Sequence, residues 1–199
     1  MSAPCTSLAA RSELILGGQK SGKTARAESL AAQWLALSPA HRAVYLATAA
    51  AADDEMRERI ARHRSDRARR VPGMTTLEAA DALAPAIGRH SEPRTLIVVD
   101  CLTLWLTGRL LPAHGAAPDA GSWSSHGKAA AAELVTAIRA APGPVVLVSN
   151  EIGLGIVPLG REVRAFVDAL GSLNQQLAAA CERVTLMAAG LPLTLKGVP

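Results

Sequence analysis

Short runs of Val, Ile and Leu recur along the chain, separated by longer stretches in which apolar residues return every three or four positions. The runs Leu14–Gly17, Ala43–Ala47, Thr95–Asp100, Val145–Ser149 and Val184–Ala188 are continuous rather than alternating, as in strands covered on both faces. Between them, Thr24–Leu37, Asp54–Asp66, Leu77–Arg89, Lys128–Ala140 and Gly160–Glu182 read as helices. This alternation predicts an α/β fold with a mostly parallel central sheet and helices on both sides. Ligands of such sheets bind beyond the C-terminal strand ends, where each motif below falls. Pro112–Ser125 is rich in Pro, Gly, Ala and Ser and reads as an excursion or loop rather than a domain boundary.

Composition narrows the picture without changing it. A chain of 199 residues suits one domain, expected over 13–199 after a loose extension at 1–12. Alanine is abundant and aromatics make up only 3%, so helices are expected to pack through small residues. The net charge of +4 fits an anionic ligand, but no aromatic and basic platform for nucleic acid is present. Cys5, Cys101 and Cys181 are widely spaced and form no CxxC pair, so reduced thiols in a cytoplasmic protein are expected. The longest largely apolar run, Ala43–Ala52, is too short to cross a membrane, and the N-terminus lacks the pattern of a signal peptide.

The chemistry starts at Gly17-Gly18-Gln19-Lys20-Ser21-Gly22-Lys23-Thr24, which matches the phosphate-binding loop G-x-x-x-x-G-K-[ST] at every fixed position. A strand enters this segment and a helix leaves it, as the motif requires. Glycines let the backbone approach phosphate oxygens, and successive N–H groups form an anion nest at the positive end of the helix. Lys23 is positioned to reach the β- and γ-phosphates, and the Thr24 hydroxyl to ligate Mg²⁺. The apolar strand Leu96–Val99 ends in Asp100, the form of a Walker B carboxylate that holds the same ion directly or through water.

Two further segments are unusual. Asp53-Asp54-Glu55 opens a basic helix in which Met56, Ile60 and His63 share a face, with Arg59 and Arg67 one turn to either side of His63. One reading is a solvated charged helix. The other is a nucleophilic imidazole, kept neutral by neighbouring cations that also bind phosphate. Asn150 and Glu151 leave the fourth strand run into Ile152–Pro158, a Gly-rich segment that reads either as a connection or as a loop shaping a substrate pocket.

Together these segments resemble the bifunctional adenosylcobinamide kinase / adenosylcobinamide-phosphate guanylyltransferases of cobalamin biosynthesis. The resemblance is carried by GGQKSGKT, YLATAAAADDEMRERIARHRSDR, LIVVDCLTLWLTGRLL, VVLVSNEIGLGIVPLGREVRAFVDALGSLNQQLA and AAGLPLTLK, in family order and spanning nearly all the chain after residue 12. It implies a three-layer P-loop NTPase-type fold, often assembled as a trimer. It implies phosphorylation of adenosylcobinamide by ATP or GTP, then transfer of GMP from GTP through a guanylyl-histidine to the cobinamide phosphate. The family's histidine falls on His63. Its nucleotide contacts fall on Gly17 to Thr24, on Ala47-Thr48-Ala49, and on Arg64-Ser65-Asp66-Arg67, with Asp100 at an acidic nucleotide or Mg²⁺ contact.

The family pattern places Pro after the arginine matching Arg67, then Trp-Arg-Thr and a glutamate. Here the chain reads Ala68 to Thr76 without them, so the glutamate is either replaced by Thr or shifted to Glu78. Two other readings of the residues stay open: a small-molecule kinase without guanylyl transfer, and a non-enzymatic nucleotide sensor.

Overall fold

Seven strands form one sheet in the order β3-β2-β4-β5-β1-β6-β7, in a computed structural model that describes residues 10–49, 54–80, 82–110 and 120–198. Among these residues the elements run β1 (Ser12–Gly17), α1 (Lys23–Ala36), β2 (Arg42–Ala47), α2 (Asp54–Arg70), β3 (Met74–Glu78), α3 (Leu83–His90), β4 (Thr95–Asp100), α4 (Leu102–Leu110), α5 (Ala120–Ala140), β5 (Val145–Val148), α6 (Arg161–Ala180), β6 (Arg183–Ala188) and β7 (Leu191–Lys196). Every neighbouring pair is parallel except β6 and β7.

Each central strand sends alternate side chains to opposite faces. Ile97 and Val99 point with Leu14, Leu16 and Leu147 into a core closed by α3, α4, α5 and α6. Leu96 and Val98 point with Ile15, Val146 and Val148 into a second core. There Ala27 and Ala31, one turn apart, let α1 lie close against the sheet. This is the three-layer α/β architecture expected from the alternation of runs. The fully buried Leu, Ile and Val side chains contribute about 1.5–3 kcal/mol each.

Three parts of the expected pattern are corrected. The helix expected over Leu77–Arg89 is a strand ending at Glu78 followed by a helix starting at Leu83. Pairing of Met74–Glu78 with Ala43–Ala47 draws Leu77 and Glu78 into a strand instead. Secondly, β7 was not expected. It pairs with β6 across Ala189 and Gly190, whose φ values of 50° and 83° are both positive, the requirement of a type I′ hairpin. Thirdly, α2 runs on to Arg70 and α5 starts at Ala120, inside the Pro/Gly-rich segment; residues 111–119 lie outside the described ones.

At the N-terminus, Ser12 already belongs to β1, and the Arg11 backbone N–H donates to Glu182 Oε2 at 2.8 Å. Residues 1–9, including Cys5, lie outside the described ones. Among the described residues no helix is long and apolar enough to cross a membrane.

Candidate nucleotide-binding site

The loop between β1 and α1 crosses the C-terminal edge of the sheet, and two of its glycines, Gly17 and Gly22, are demanded by their neighbours. A Cβ on Gly17 would stand 2.5 Å from both the Met187 carbonyl oxygen and Ser21 Oγ. Gly22 has φ 101° and caps α1 in the left-handed region, where a Cβ would meet Gly190 Cα at 3.2 Å. The β6–β7 turn also supports the loop directly, as Gly190 N–H donates to the Ser21 carbonyl at 3.0 Å. Gly18, Gln19 and Lys20 form the exposed crest. Lys23 is buried, and its ammonium folds back to donate to the Gly18 carbonyl at 2.5 Å. Burial lowers its pKa, and the carboxylate of Asp100 partly opposes that shift.

Asp100, at the end of β4, is the hub of the site. Its Oδ2 accepts from Thr24 Oγ1 at 2.7 Å and from the Tyr45 hydroxyl at 2.8 Å. Burial, and then the charge of Asp100, push the Tyr45 phenol well above its ordinary pKa, so it stays a donor. Over the outer face of Tyr45 lies the guanidinium of Arg67, its carbon 3.3 Å from the ring centroid. Arg67 also donates to Thr76 Oγ1 at 3.3 Å. Glu28 of α1 faces Arg67 Nε at 3.7 Å and Arg70 Nε at 2.8 Å.

The expected site residues therefore fall into groups. Thr24 is hydrogen-bonded to Asp100, whose charge also acts on the buried Lys23. Ala47 ends β2 at the same edge, and the Thr48 side chain is spent on structure. Its hydroxyl donates to the Cys101 carbonyl at 2.7 Å and accepts from Cys101 N–H at 2.8 Å. Ala49 follows half-buried, beyond the strand. On α2, Arg64 and Ser65 are exposed, and Asp66 is held by Arg69 at 2.5 Å. Arg67 is turned inward onto Tyr45 and is buried. His63 lies on α2 one turn before Arg67, and its side chain is outside the described atoms.

Sequence reasoning missed Tyr45, Glu28 and Asn174. Tyr45 is the only tyrosine and stands in an otherwise apolar strand, a signal that could have marked it. Asn174, buried in α6, accepts from Ser149 Oγ at 2.7 Å and donates to the Asn150 carbonyl at 3.0 Å. Glu151 N–H then donates to the Gly17 carbonyl at 3.1 Å, which ties the β5–α6 loop to the start of the phosphate loop. At the other side, Glu78 ends β3 in register with Ala47.

The sequence model of a family described as cobinamide kinase / cobinamide phosphate guanyltransferase matches residues 13–195. The chain is 47% identical over 188 residues to the bifunctional adenosylcobalamin biosynthesis protein CobP of Pseudomonas aeruginosa, covering 94% of this chain and 98% of that one. It is 35% identical over 187 residues to CobU of Escherichia coli, covering 92% and 98%. CobU of Salmonella typhimurium matches at 35% over 188 residues, again covering 92% and 98%. Among solved structures, a KaiC-like protein from Pyrococcus horikoshii superposes with a TM-score of 0.48 at 14% identity, covering 88% of this chain and 69% of its own.

Proposed function

We infer, for a chain that belongs to the cobinamide kinase / cobinamide phosphate guanyltransferase family, that one nucleotide surface at the strand ends serves two successive phosphorus transfers. The protein is an enzyme with both activities, using ATP and GTP as nucleotide substrates. In the kinase reaction the terminal hydroxyl oxygen of adenosylcobinamide bonds to the γ-phosphorus and the nucleoside diphosphate leaves. In the guanylyl transfer an imidazole nitrogen of His63 bonds to the α-phosphorus of GTP and pyrophosphate leaves. An oxygen of the cobinamide phosphate then takes the GMP and frees the imidazole, which splits one hard displacement into two easier ones.

The observation that carries this reading is the run of contacts Thr24–Asp100–Tyr45–Arg67. It ties the phosphate loop to the helix that bears His63. The loop amides and Lys23 neutralise the charge of the transferring group, and Arg64 and Ser65 extend the polar surface toward GTP. Glu78 ends its strand in register with Ala47, which supports a shift of the family glutamate to this position over its replacement by Thr. Residues 13–199 act as one catalytic unit.

Mg²⁺ fits the oxygens present. Thr24 Oγ1 and Asp100 Oδ2 lie 2.7 Å apart, and among the described residues no cluster of three or more His, Cys, Asp or Glu competes for a metal. Two protein oxygens completed by phosphate and water are the habit of this ion. Bound there, it would screen the phosphate charge. Assembly with further copies is proposed on Leu191, Leu193 and Leu195, exposed on one face of edge strand β7.

The test is GTP labelled at the α-phosphate, with Mg²⁺, on the protein and on His63→Ala. Acid-labile, base-stable label that survives denaturation and is missing in the variant supports the histidine intermediate. No label with cobinamide still phosphorylated leaves a kinase alone, and neither label nor turnover leaves a sensor.

A further inference from the structure

We propose that the corrinoid acceptor docks in the cavity between the β5–α6 loop and the adjoining flank of α6. This rests on the acceptor being adenosylcobinamide, as read above, and adds where the chain holds it. The cavity has a volume of about 520 Å³ and is open to solvent, so it holds part of a corrinoid and leaves the rest outside. One wall is the loop Ile152–Pro158. The other is a single helix stripe, Arg164, Asp168, Gly171 and Gln175, spaced three and four residues apart. Gly171 widens it, since a Cβ there would meet nothing within 4 Å.

The loop spends its apolar side chains outward. Leu154 is 78% exposed, Val157 73% and Ile156 97%. Apolar residues gathered on one projecting loop beside a concavity mark a place where something else covers them. The loop is also held in shape. Arg164 Nη1 donates to the Pro158 carbonyl at 2.9 Å and to the Leu159 carbonyl at 2.5 Å. At the other end Asn174 holds the Asn150 carbonyl. Both ends pinned, the cavity is formed before the ligand arrives, which limits the ordering cost of binding.

Location and charge point to the corrinoid rather than to a second copy. Glu151, which lines the cavity, donates its backbone N–H to the carbonyl of Gly17 at 3.1 Å, so that end of the cavity adjoins the start of the phosphate loop. A corrin ring is broad and apolar on its faces, fringed with primary carboxamides, and carries a net positive charge in its cobalt(III) alkyl form. The exposed Leu, Ile and Val suit the ring. The carboxylates of Glu151 and Asp168 line the cavity, and neither enters an ion pair among the described residues. They accept from amide N–H groups and offset the positive charge. The arm that ends in the reactive hydroxyl can then extend toward the phosphate loop.

The test compares the full-length enzyme with the double variant Leu154→Ser/Ile156→Ser and with Asp168→Asn, all exposed positions. Adenosylcobinamide binding is measured by equilibrium dialysis from its visible absorbance, the KM for each substrate by steady-state kinetics, and mass by sedimentation. The expected result is a rise of about tenfold or more in the dissociation constant and KM for adenosylcobinamide, with the KM for nucleotide and corrinoid-free labelling by GTP unchanged. Acceptor constants unchanged in both variants would overturn the proposal, and a fall in mass alongside them would give the loop to a second copy. A wild-type enzyme that neither binds nor phosphorylates adenosylcobinamide would overturn the reading beneath it. Wild-type turnover with unchanged variants would overturn the cavity alone.

Discussion

The guanidinium of Arg67 sits over the ring of Tyr45, 3.3 Å from its centroid, while the hydroxyl of the same tyrosine donates to Asp100 at 2.8 Å. One side chain thus touches the helix that carries His63 on one side and the phosphate-site carboxylate on the other. Arg67, Tyr45, Asp100 and Thr24 come from α2, β2, β4 and α1, so four elements meet through three contacts.

Tyr45→Phe keeps the ring beneath Arg67 and removes only the hydroxyl. Urea denaturation should show a loss of about 1 kcal/mol. Tyr45→Ala removes the ring as well, leaves a cavity, and should cost about 3 kcal/mol or more. Histidine-linked label should drop much further in the alanine variant than in the phenylalanine variant. Equal labelling in both would show that the stack does not position α2.

Thr24→Val replaces the hydroxyl beside Asp100 with a methyl of similar size. The Mg²⁺ concentration for half-maximal kinase rate should rise about tenfold or more in a metal titration, with thermal stability little changed. EDTA should abolish both activities of the wild type, and added Mg²⁺ should restore them.

Cys181 gives a pH dependence with a definite sign. Burial raises its thiol from 9.0 to about 11, so the folded state keeps a proton that the unfolded chain releases. The associated stability is complete below pH 9 and is lost as pH rises toward 11, about 2–3 kcal/mol in all. Urea midpoints should fall across that interval. Cys181→Ala should flatten the slope in part, and adding Cys101→Ala should flatten it further, because burial raises that thiol too.

Asn174→Leu should destabilise by about 2–3 kcal/mol, because Ser149 Oγ and the Asn150 carbonyl lose their partner in a buried place. With one end of the loop released, the KM for adenosylcobinamide should rise more than the KM for nucleotide. A parallel rise in both would place Asn174 in general packing only.

Much of this molecule is legible locally. The phosphate loop announces itself because its glycines answer to backbone geometry that few other residues tolerate, and the central strands because burial on both faces leaves unbroken apolar runs. Met74–Glu78 escapes notice because an edge strand is defined by its pairing with β2, which no local pattern encodes. Leu191–Lys196 escapes because the alternating Leu-x-Leu-x-Leu depends on a hairpin turn at Ala189-Gly190. The direction taken by Arg67 is a tertiary fact as well. Its helix spacing put it beside His63, but a buried carboxylate on α1 and an aromatic face on β2 draw it inward.

The hairpin of β6 and β7 supports the phosphate loop through Gly190 and crowds Gly17 with Met187, although those residues lie some 170 positions apart in sequence. On a translating ribosome, β1 and its loop therefore emerge well before the strands that complete them. A nascent chain should have no competent nucleotide site until the β6–β7 hairpin has followed. Chains stalled before that hairpin should not sequester nucleotide.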